Sequence, residues 1–323
     1  MERLAPFAVV APATLQAALA ALAEPGARLV AGGTDLMVNL RHGIGGPRTL
    51  VDARAVAEMR GIAAAGEGLS LGAAVTITEL AADARVAGGW PALAEAARLV
   101  AAPAHRAAGT LGGNLCLDTR CIYYNRSEWW RAANGFCLKH AGDTCHVAPT
   151  GKRCHAAFSG DLAAPLLAYG AEVEIAGPAG MRRQPLAELY REDGAAHLTL
   201  GEGEIVTRVQ LPSGPPPARY AKARARQAID FPLAGVAVAL RMAAGKVAAL
   251  RVAITGTNSR PFLLAGMQAL TDAAPDAAWR EALGKLVQKQ VAPMRTTLLA
   301  AQYRRRAAAA LAQRLAAELS GGR

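Results

Sequence analysis

The 323-residue chain is poor in aromatic side chains, 5% in all, and has no long apolar run. No stretch reaches the ~20 uninterrupted apolar residues of a membrane-spanning helix, because charge or proline breaks every alanine-rich segment. The start, MERLAPFAVV, lacks a basic segment followed by a long apolar one, so no secretory leader is expected and a cytoplasmic location is. Three signatures are missing as well. Without GxGxxG a Rossmann dinucleotide site is not indicated, and without GxxxxGK[ST] nucleotide hydrolysis is not. Without CxxC there is no close pair of the kind that presents two thiolates together in small zinc modules. No Ser/His/Asp triad, carboxylate pair or repeat of fixed period can be picked out, so no catalytic residue is assigned.

What the chain does have is alanine and positive charge. Hydrophobic residues make up 52%, an ordinary helix-rich composition, and the length suits two or three domains. The formal charge is +11. Nucleic-acid binding is the first class such a charge suggests, but the basic residues are not interleaved with aromatics. Residues 280–323 hold nine Lys/Arg against two Asp/Glu, with Arg304, Arg305 and Arg306 in a row. A solvated helix face explains them, and so does a surface for acidic partner subunits or an acidic electron donor.

In chain order, residues 13–24 carry apolar positions at helical spacing, with Thr14 as cap and Pro25-Gly26 as stop. A strand over Arg28–Ala31 runs into Gly32-Gly33-Thr34-Asp35-Leu36, and a short helix follows that stops at Gly43. Two residues without Cβ let consecutive N–H groups point into one concavity at the start of a helix, which suits a phosphate. A plain strand-to-helix turn has the same appearance. Residues 48–52 read as a strand; 68–80 read as a strand then a helix, capped by Thr76 or Thr78 with Glu79 in the first turn. An apolar helix over 91–101 leads through a connector, PAHRAAG, to TLGGNL at 110–115. Two glycine turns, each beside a hydroxyl and an amide or carboxylate, suit the two ends of a pyrophosphate. Further on, Ser159-Gly160-Asp161 caps a helix LAAPLLAY, and strands cover 171–177 and 204–211. SGPPPAR, 213–219, is the clearest linker and marks the main domain boundary. Beyond it LAGVAVALRM and VAALRVAITG pair through a turn at Ala244-Gly245-Lys246, and amphipathic helices cover 277–290 and 296–318. The fold class is α+β.

All five cysteines fall between Cys116 and Cys154, spaced Cys-x4-Cys-x15-Cys-x7-Cys-x8-Cys. Disulfides are disfavoured in a cytoplasmic protein, so a metal or cluster site is the better reading. Spacing alone leaves an iron–sulfur cluster, zinc and unligated thiols all open. Cys121, Cys137, Cys145 and Cys154 lie inside the loop, whereas Cys116 directly follows GGNL. His140, His146 and His155 are candidate zinc ligands, although a histidine next to a cysteine more often points away from a shared site. Tyr123, Tyr124, Trp129, Trp130 and Phe136 either shield a cluster from water or form the loop's own small core.

AGGTDL at 31–36, GAAVTITEL at 72–80, TLGGNL at 110–115, SGDLAAPLLAYGAEVEI at 159–175 and KARARQAIDFPLAGVAVAL at 222–240 together resemble the flavin subunits of the molybdenum hydroxylases, relatives of xanthine oxidase and carbon monoxide dehydrogenase. The resemblance covers nearly the whole chain, with the motifs in the family's order. It implies an FAD-binding domain of the vanillyl-alcohol-oxidase (PCMH) type over residues 1–212, in two α+β subdomains. A smaller α+β domain of the CO-dehydrogenase-flavoprotein type, an antiparallel sheet with helices, follows over 218–323. Carried over, the FAD contacts are Leu29, Val30, Ala31 and Leu36, with Gly32, Gly33, Thr34 and Asp35 at the pyrophosphate. Thr110, Gly112, Gly113 and Asn114 form the second phosphate turn, and Thr76 lies nearby. Asp161 approaches the ribityl or flavin region and Lys222 the isoalloxazine.

The chain departs from that family where roughly 40 residues with four cysteines separate GGNL from SGDL. This loop insertion, 116–155, resembles that of 4-hydroxybenzoyl-CoA reductase β subunits. The likeness implies a [4Fe–4S] cluster on Cys121, Cys137, Cys145 and Cys154. It further implies an electron-transfer oxidoreductase subunit that joins a molybdenum-cofactor subunit and a [2Fe–2S] subunit in a dimer of heterotrimers. Electrons would pass from ferredoxin by the cluster and FAD to those partners, in anaerobic aromatic degradation, with 4-hydroxybenzoyl-CoA dehydroxylated to benzoyl-CoA. Arg304–Arg306 would then steer acidic ferredoxin, and neither nucleic acid nor membrane is a partner. The alternative is the flavin subunit of another molybdenum hydroxylase, with zinc in the loop and electrons delivered outward.

Overall fold

Short runs rich in valine, leucine and alanine form three separate sheets in the computed structural model, which describes residues 4–321. Residues 1–3, the start of the segment read for a leader, and 322–323, the end of the basic stretch, lie outside the described residues. The first sheet is parallel: β1 (Ala8–Val10), β2 (Ala27–Val30) and β3 (Thr49–Asp52) stand in the order β1-β3-β2. The helix Leu15–Leu22 crosses from β1 to β2, and the Thr14 hydroxyl accepts from the Ala17 N–H as its spacing predicts. The helix Leu36–Arg41 follows β2 and stops before Gly43, whose φ is +67°.

The second sheet is antiparallel. It joins β4 (Ile62–Ala65), β5 (Gly68–Gly72), β6 (Glu172–Gly177), β7 (Gly180–Pro185) and β8 (Ile205–Leu211) in the order β4-β5-β8-β6-β7. The edge strands β4 and β7 were not legible in the sequence, because IAAA and GMRRQP bury almost nothing. Inward residues of the central strands, Leu71, Val173, Ile175 and Val209, join one core with Leu80, Leu93, Leu111 and Leu166.

The third sheet holds β9 (Ala218–Ala223), β10 (Ala234–Ala243), β11 (Lys246–Thr255) and β12 (Phe262–Leu263), antiparallel in the order β12-β11-β10-β9. Ala244 and Gly245 make the expected hairpin turn, with φ of +49° and +74°. The strand β10 reads as almost continuously apolar because both its faces are covered. Ala237 and Ala239 enter the large N-terminal core, while Val236, Val238 and Leu240 pack under the helices Ala277–Gln290 and Ala301–Leu319. The helix Ala163–Tyr169 is apolar all round and is buried along its whole length against β10 and β11.

Several local expectations change. PAHRAAG is a short helix, Pro103–Ala108, begun by its proline. TLGGNL is not an open turn but a helical one, Leu111–Leu115, with Thr110 as its cap. The helix Ala163–Tyr169 starts without a side-chain cap, because Asp161 is engaged elsewhere. The cysteine loop contains one helix, Glu128–Ala133, capped by Ser127. The loop enters and leaves through a single antiparallel bridge, in which the Arg120 N–H donates to Ala157 at 2.7 Å and the Ala157 N–H donates back at 2.8 Å.

The run Arg304–Arg306 also divides. Arg304 is fully buried and donates to the carbonyls of Leu233 at 3.0 Å, Met294 at 2.9 Å and Gly256, and to the Thr296 hydroxyl. It ties the last helix to the third sheet and to the segment before that helix, so it belongs to the interior and not to a basic docking face. Arg305 is half-buried and Arg306 exposed. Arg304→Ala is expected to cost about 3–4 kcal/mol in chemical denaturation, since charge-assisted hydrogen bonds contribute about 1.5–3 kcal/mol each and their acceptors would stay buried. Arg306→Ala should stay within about 0.5 kcal/mol. Equal losses for the two would contradict this division.

Candidate functional site

A cleft of about 520 Å³ opens beside β2 and reaches across to the 229–231 segment that follows β9. The size suits a bound cofactor, since ligand sites commonly span about 300–1,000 Å³. The run from Leu29 to Leu36 lines the cleft throughout, and so do Thr110, Gly112, Gly113, Asn114 and Asp161. Ile77, Val100, Ile205 and Val206 supply apolar wall. Thr76 and Lys222 do not line it. The Thr76 hydroxyl accepts from the Glu79 N–H at 3.1 Å in a capping box, and its backbone bridges Thr110.

The two glycine pairs serve different ends. A Cβ on Gly32 would sit 2.0 Å from the Ala108 carbonyl oxygen, and Gly33 has φ of +67°, so neither position accepts a side chain. The backbone N–H groups of Gly32, Gly33, Thr34 and Asp35 have no acceptor among the described residues, and all four residues line the cleft. They form a row of free donors of the kind that binds an anion. The second pair has no donors to spare. Gly112 N–H goes to Ala73 O at 2.8 Å, Gly113 N–H to the Thr110 hydroxyl at 3.1 Å, and Asn114 N–H to Thr110 O at 2.9 Å. Gly112 is needed for close approach: its Cβ would meet that of Ala73 at 2.8 Å. The Asn114 side-chain oxygen accepts from Leu162 N–H at 3.0 Å.

At the end of the cleft near the third sheet, Asp161 receives the Lys222 ammonium at 2.9 Å and the Tyr220 hydroxyl at 2.8 Å. The Lys222 ammonium also donates to Asp230 O at 3.0 Å, and its side chain is only 1% exposed. Burial pushes the Asp161 carboxyl up, and Lys222 is the main influence drawing it back. Lys222 therefore stands one layer behind the cleft and acts on it through Asp161.

The cysteine loop adjoins this site. Cys121, Cys137, Cys145 and Cys154 are all buried and none is in a disulfide. Cys121, Cys137 and Cys154 pack with Ile44, Tyr124 and Ala156. Burial pushes the Cys121 thiol up, and Cys137 and Cys145 add to the effect. Burial pushes Cys154 up to about 11, with Cys145 and Cys121 again adding. Cys121 thus stands within electrostatic reach of Cys137, Cys145 and Cys154, and Cys145 of Cys154. Cys116 is apart, lining the cleft, and its thiol is pushed up to about 12 by burial alone. Among the described residues no group of three or more His, Cys, Asp or Glu stands ready to hold a single metal ion. A ring nitrogen of His146 bonds to Phe136 O, and His140 lies edge-on to the Phe136 ring at 6.0 Å. The aromatics do not act as one shield, since Tyr124 is buried but Trp129 is 76% exposed.

Three charged residues that the sequence did not single out tie loop to cleft. Arg120 meets Asp35 at 2.5 Å. Lys139, 5% exposed, donates to Asp118 at 2.6 Å and lies 4.2 Å from the centre of the Tyr124 ring. Both aspartates line the cleft. No spacing rule links Arg120 to a partner 85 positions away.

Free N–H donors, apolar walls and a buried carboxylate fit a dinucleotide. The domain described as the FAD binding domain in molybdopterin dehydrogenase matches residues 5–214, and the CO dehydrogenase flavoprotein C-terminal domain matches residues 218–319. The chain belongs to the FAD-binding subunits of the molybdenum hydroxylase family and is an FAD-binding oxidoreductase subunit. It is 30% identical over 298 residues to the xanthine dehydrogenase FAD-binding subunit of Escherichia coli O157:H7, covering 90% of this chain and 88% of that one. Quinoline 2-oxidoreductase from Pseudomonas putida 86 superposes with a TM-score of 0.79 at 25% identity, over 99% of both chains. Reconstituted CO dehydrogenase from Oligotropha carboxidovorans shares the fold, with a TM-score of 0.81 at 24% identity over 100% of both chains.

The close approach at Gly32 makes a direct test. Gly32→Ala should weaken FAD retention about tenfold or more, read as flavin absorbance per chain after gel filtration. Gly46→Ala, where a Cβ meets nothing within 4 Å, should keep the flavin. Full flavin content in Gly32→Ala would refute the assignment of this backbone to the cofactor.

Proposed function

We propose that the chain is the flavin and iron–sulfur electron-transfer subunit of a cytoplasmic molybdenum enzyme of the 4-hydroxybenzoyl-CoA reductase type. The observation that carries this reading is the set of four buried, unpaired thiols beside the flavin cleft. A donor set of thiols without histidine suits a [4Fe–4S] cluster on Cys121, Cys137, Cys145 and Cys154. Burial favours the protonated form of Cys121 and Cys154, and bound iron would supply the charge that makes them thiolates.

When bound, FAD and the cluster supply the electron transfer, one electron at a time at the cluster and two in all at the flavin. The chain's own residues bind and orient. The N–H groups of Gly32, Gly33, Thr34 and Asp35 receive the diphosphate; Gly112 and Gly113 set the close packing beneath it, and Thr110 and Asn114 hold that turn. Lys222 and Tyr220 keep Asp161 fixed at the flavin end. No side chain is needed as acid, base or nucleophile.

The partners in this reading are a molybdenum-cofactor subunit and a [2Fe–2S] subunit in a dimer of heterotrimers, with reduced ferredoxin as donor and 4-hydroxybenzoyl-CoA as the complex's substrate. The naming of relatives as an FAD-binding subunit and as the medium chain of carbon monoxide dehydrogenase supports a multi-subunit setting. Within the Arg304–Arg306 run, any ferredoxin-facing charge comes from Arg305 and Arg306, because Arg304 is buried.

Anaerobically purified protein should contain about four iron and four sulfide per chain and give a low-temperature EPR signal on reduction. Cys137→Ser should lose that signal and still bind flavin, though more weakly, and Cys116→Ser should keep both. Zinc with no cluster signal would end the iron–sulfur reading. A co-expressed complex inactive with aryl-CoA thioesters would end the substrate reading.

A further inference from the structure

Arg120 belongs to both the cysteine loop and the cleft. Arg120 stands at the neck of the loop, paired by its backbone with Ala157, and the next residue is Cys121. Its guanidinium leaves the loop and meets Asp35, at the end of the Gly-Gly-Thr-Asp run, at 2.5 Å. Its central carbon also lies 4.8 Å from the centre of the Phe231 ring, which borders the cleft from the C-terminal part and is 44% exposed. Three segments distant in sequence are thus joined by one planar cation.

Only one of its nitrogens, Nη1, has a side-chain partner among the described residues, and Arg120 lines the cleft. A guanidinium carries five N–H donors in a fixed fork, so donors remain for a second anion. The neighbouring free N–H groups of Gly32, Gly33 and Thr34 also call for an anion. Asp35 by itself would oppose one, since its carboxylate lies in the same cleft. Arg120 cancels that charge where the phosphate donors stand.

We propose that Arg120 is a flavin-positioning residue supplied by the cysteine loop: it neutralises Asp35 and gives its remaining N–H groups to the diphosphate of the dinucleotide, so flavin affinity depends on the loop being folded. This rests on the iron–sulfur reading of the loop for one consequence, that iron and flavin bind cooperatively. Linkage makes the effect reciprocal, each ligand tightening the other by the same factor.

The test is a fluorescence titration of flavin-stripped protein with FAD, in iron-loaded and iron-chelated forms. Arg120→Gln should raise the FAD dissociation constant about tenfold, within the range common for coupled sites. Chelation should raise that of the wild type by a similar factor and leave that of Arg120→Gln nearly unchanged. Arg120→Lys should recover part of the affinity, because it restores charge without the fork. Asp35→Asn breaks the same ion pair from the other side without touching the loop; because the Asp35 N–H and the Arg120 fork both remain, it should cost clearly less FAD affinity than Arg120→Gln. If Asp35→Asn loses affinity as Arg120→Gln does, the ion pair is only a structural latch and the proposal falls. It falls too if Arg120→Gln binds FAD normally, or if chelation weakens that variant as much as the wild type. A chain that never holds iron sinks the iron–sulfur reading alone, and the shift in Arg120→Gln still decides the role of Arg120 at the flavin.

Discussion

Two opposite charges taken out of water hold the site together. Asp161 comes from the turn before a wholly buried helix, Lys222 from the first strand of the third sheet, and each is almost fully enclosed. Removing two ions from water is costly, and their attraction offsets the cost only if the remaining valences are also met. Here they are met: Tyr220 donates to the same carboxylate, and the Asp230 carbonyl accepts from the ammonium. The pair therefore fixes three things at once, namely the angle between helix and sheet, the path of the 229–231 segment and the position of a carboxylate at the end of the cleft.

The rest of the cleft depends on missing atoms more than on present ones. Gly32 lets β2 run against the Pro103–Ala108 helix, and Gly112 lets its own helical turn lie on Ala73. Only the first of these leaves N–H groups unspent. The free donors of the cleft consequently stand on one run, residues 32–35. At the end of that run the cysteine loop delivers Arg120 to Asp35, and Lys139 pairs with Asp118.

Much of this was legible in the chain. Thr14 and the Thr76–Glu79 box announce helix starts by local hydrogen bonds that need no tertiary context. The helix over 277–290 and the hairpin at Ala244-Gly245 follow from apolar period and turn chemistry in the same way. Signals failed where burial was the signal and little was buried, as in the three-residue β1 and the edge strands β4 and β7. They also failed where one residue type serves two ends. A Gly-Gly pair that frees donors and a Gly-Gly pair that admits a neighbour look the same in one dimension. An arginine on an exposed face and one that caps buried carbonyls look the same too, as Arg304 shows.

By itself the sequence determined the α+β class, the order of most helices and strands, the glycine-bearing run at 32–35 and the gathering of the cysteines into one loop. These depend on residues close together in the chain. Only the tertiary structure decided which glycine N–H groups stay free, that Lys222 meets the cleft through Asp161, and that Arg120 reaches Asp35. Each is a contact between segments whose separation in the chain carries no periodic or compositional trace. Such contacts exist only once the sheets have packed and the carbonyls, charges and rings of distant segments have become neighbours.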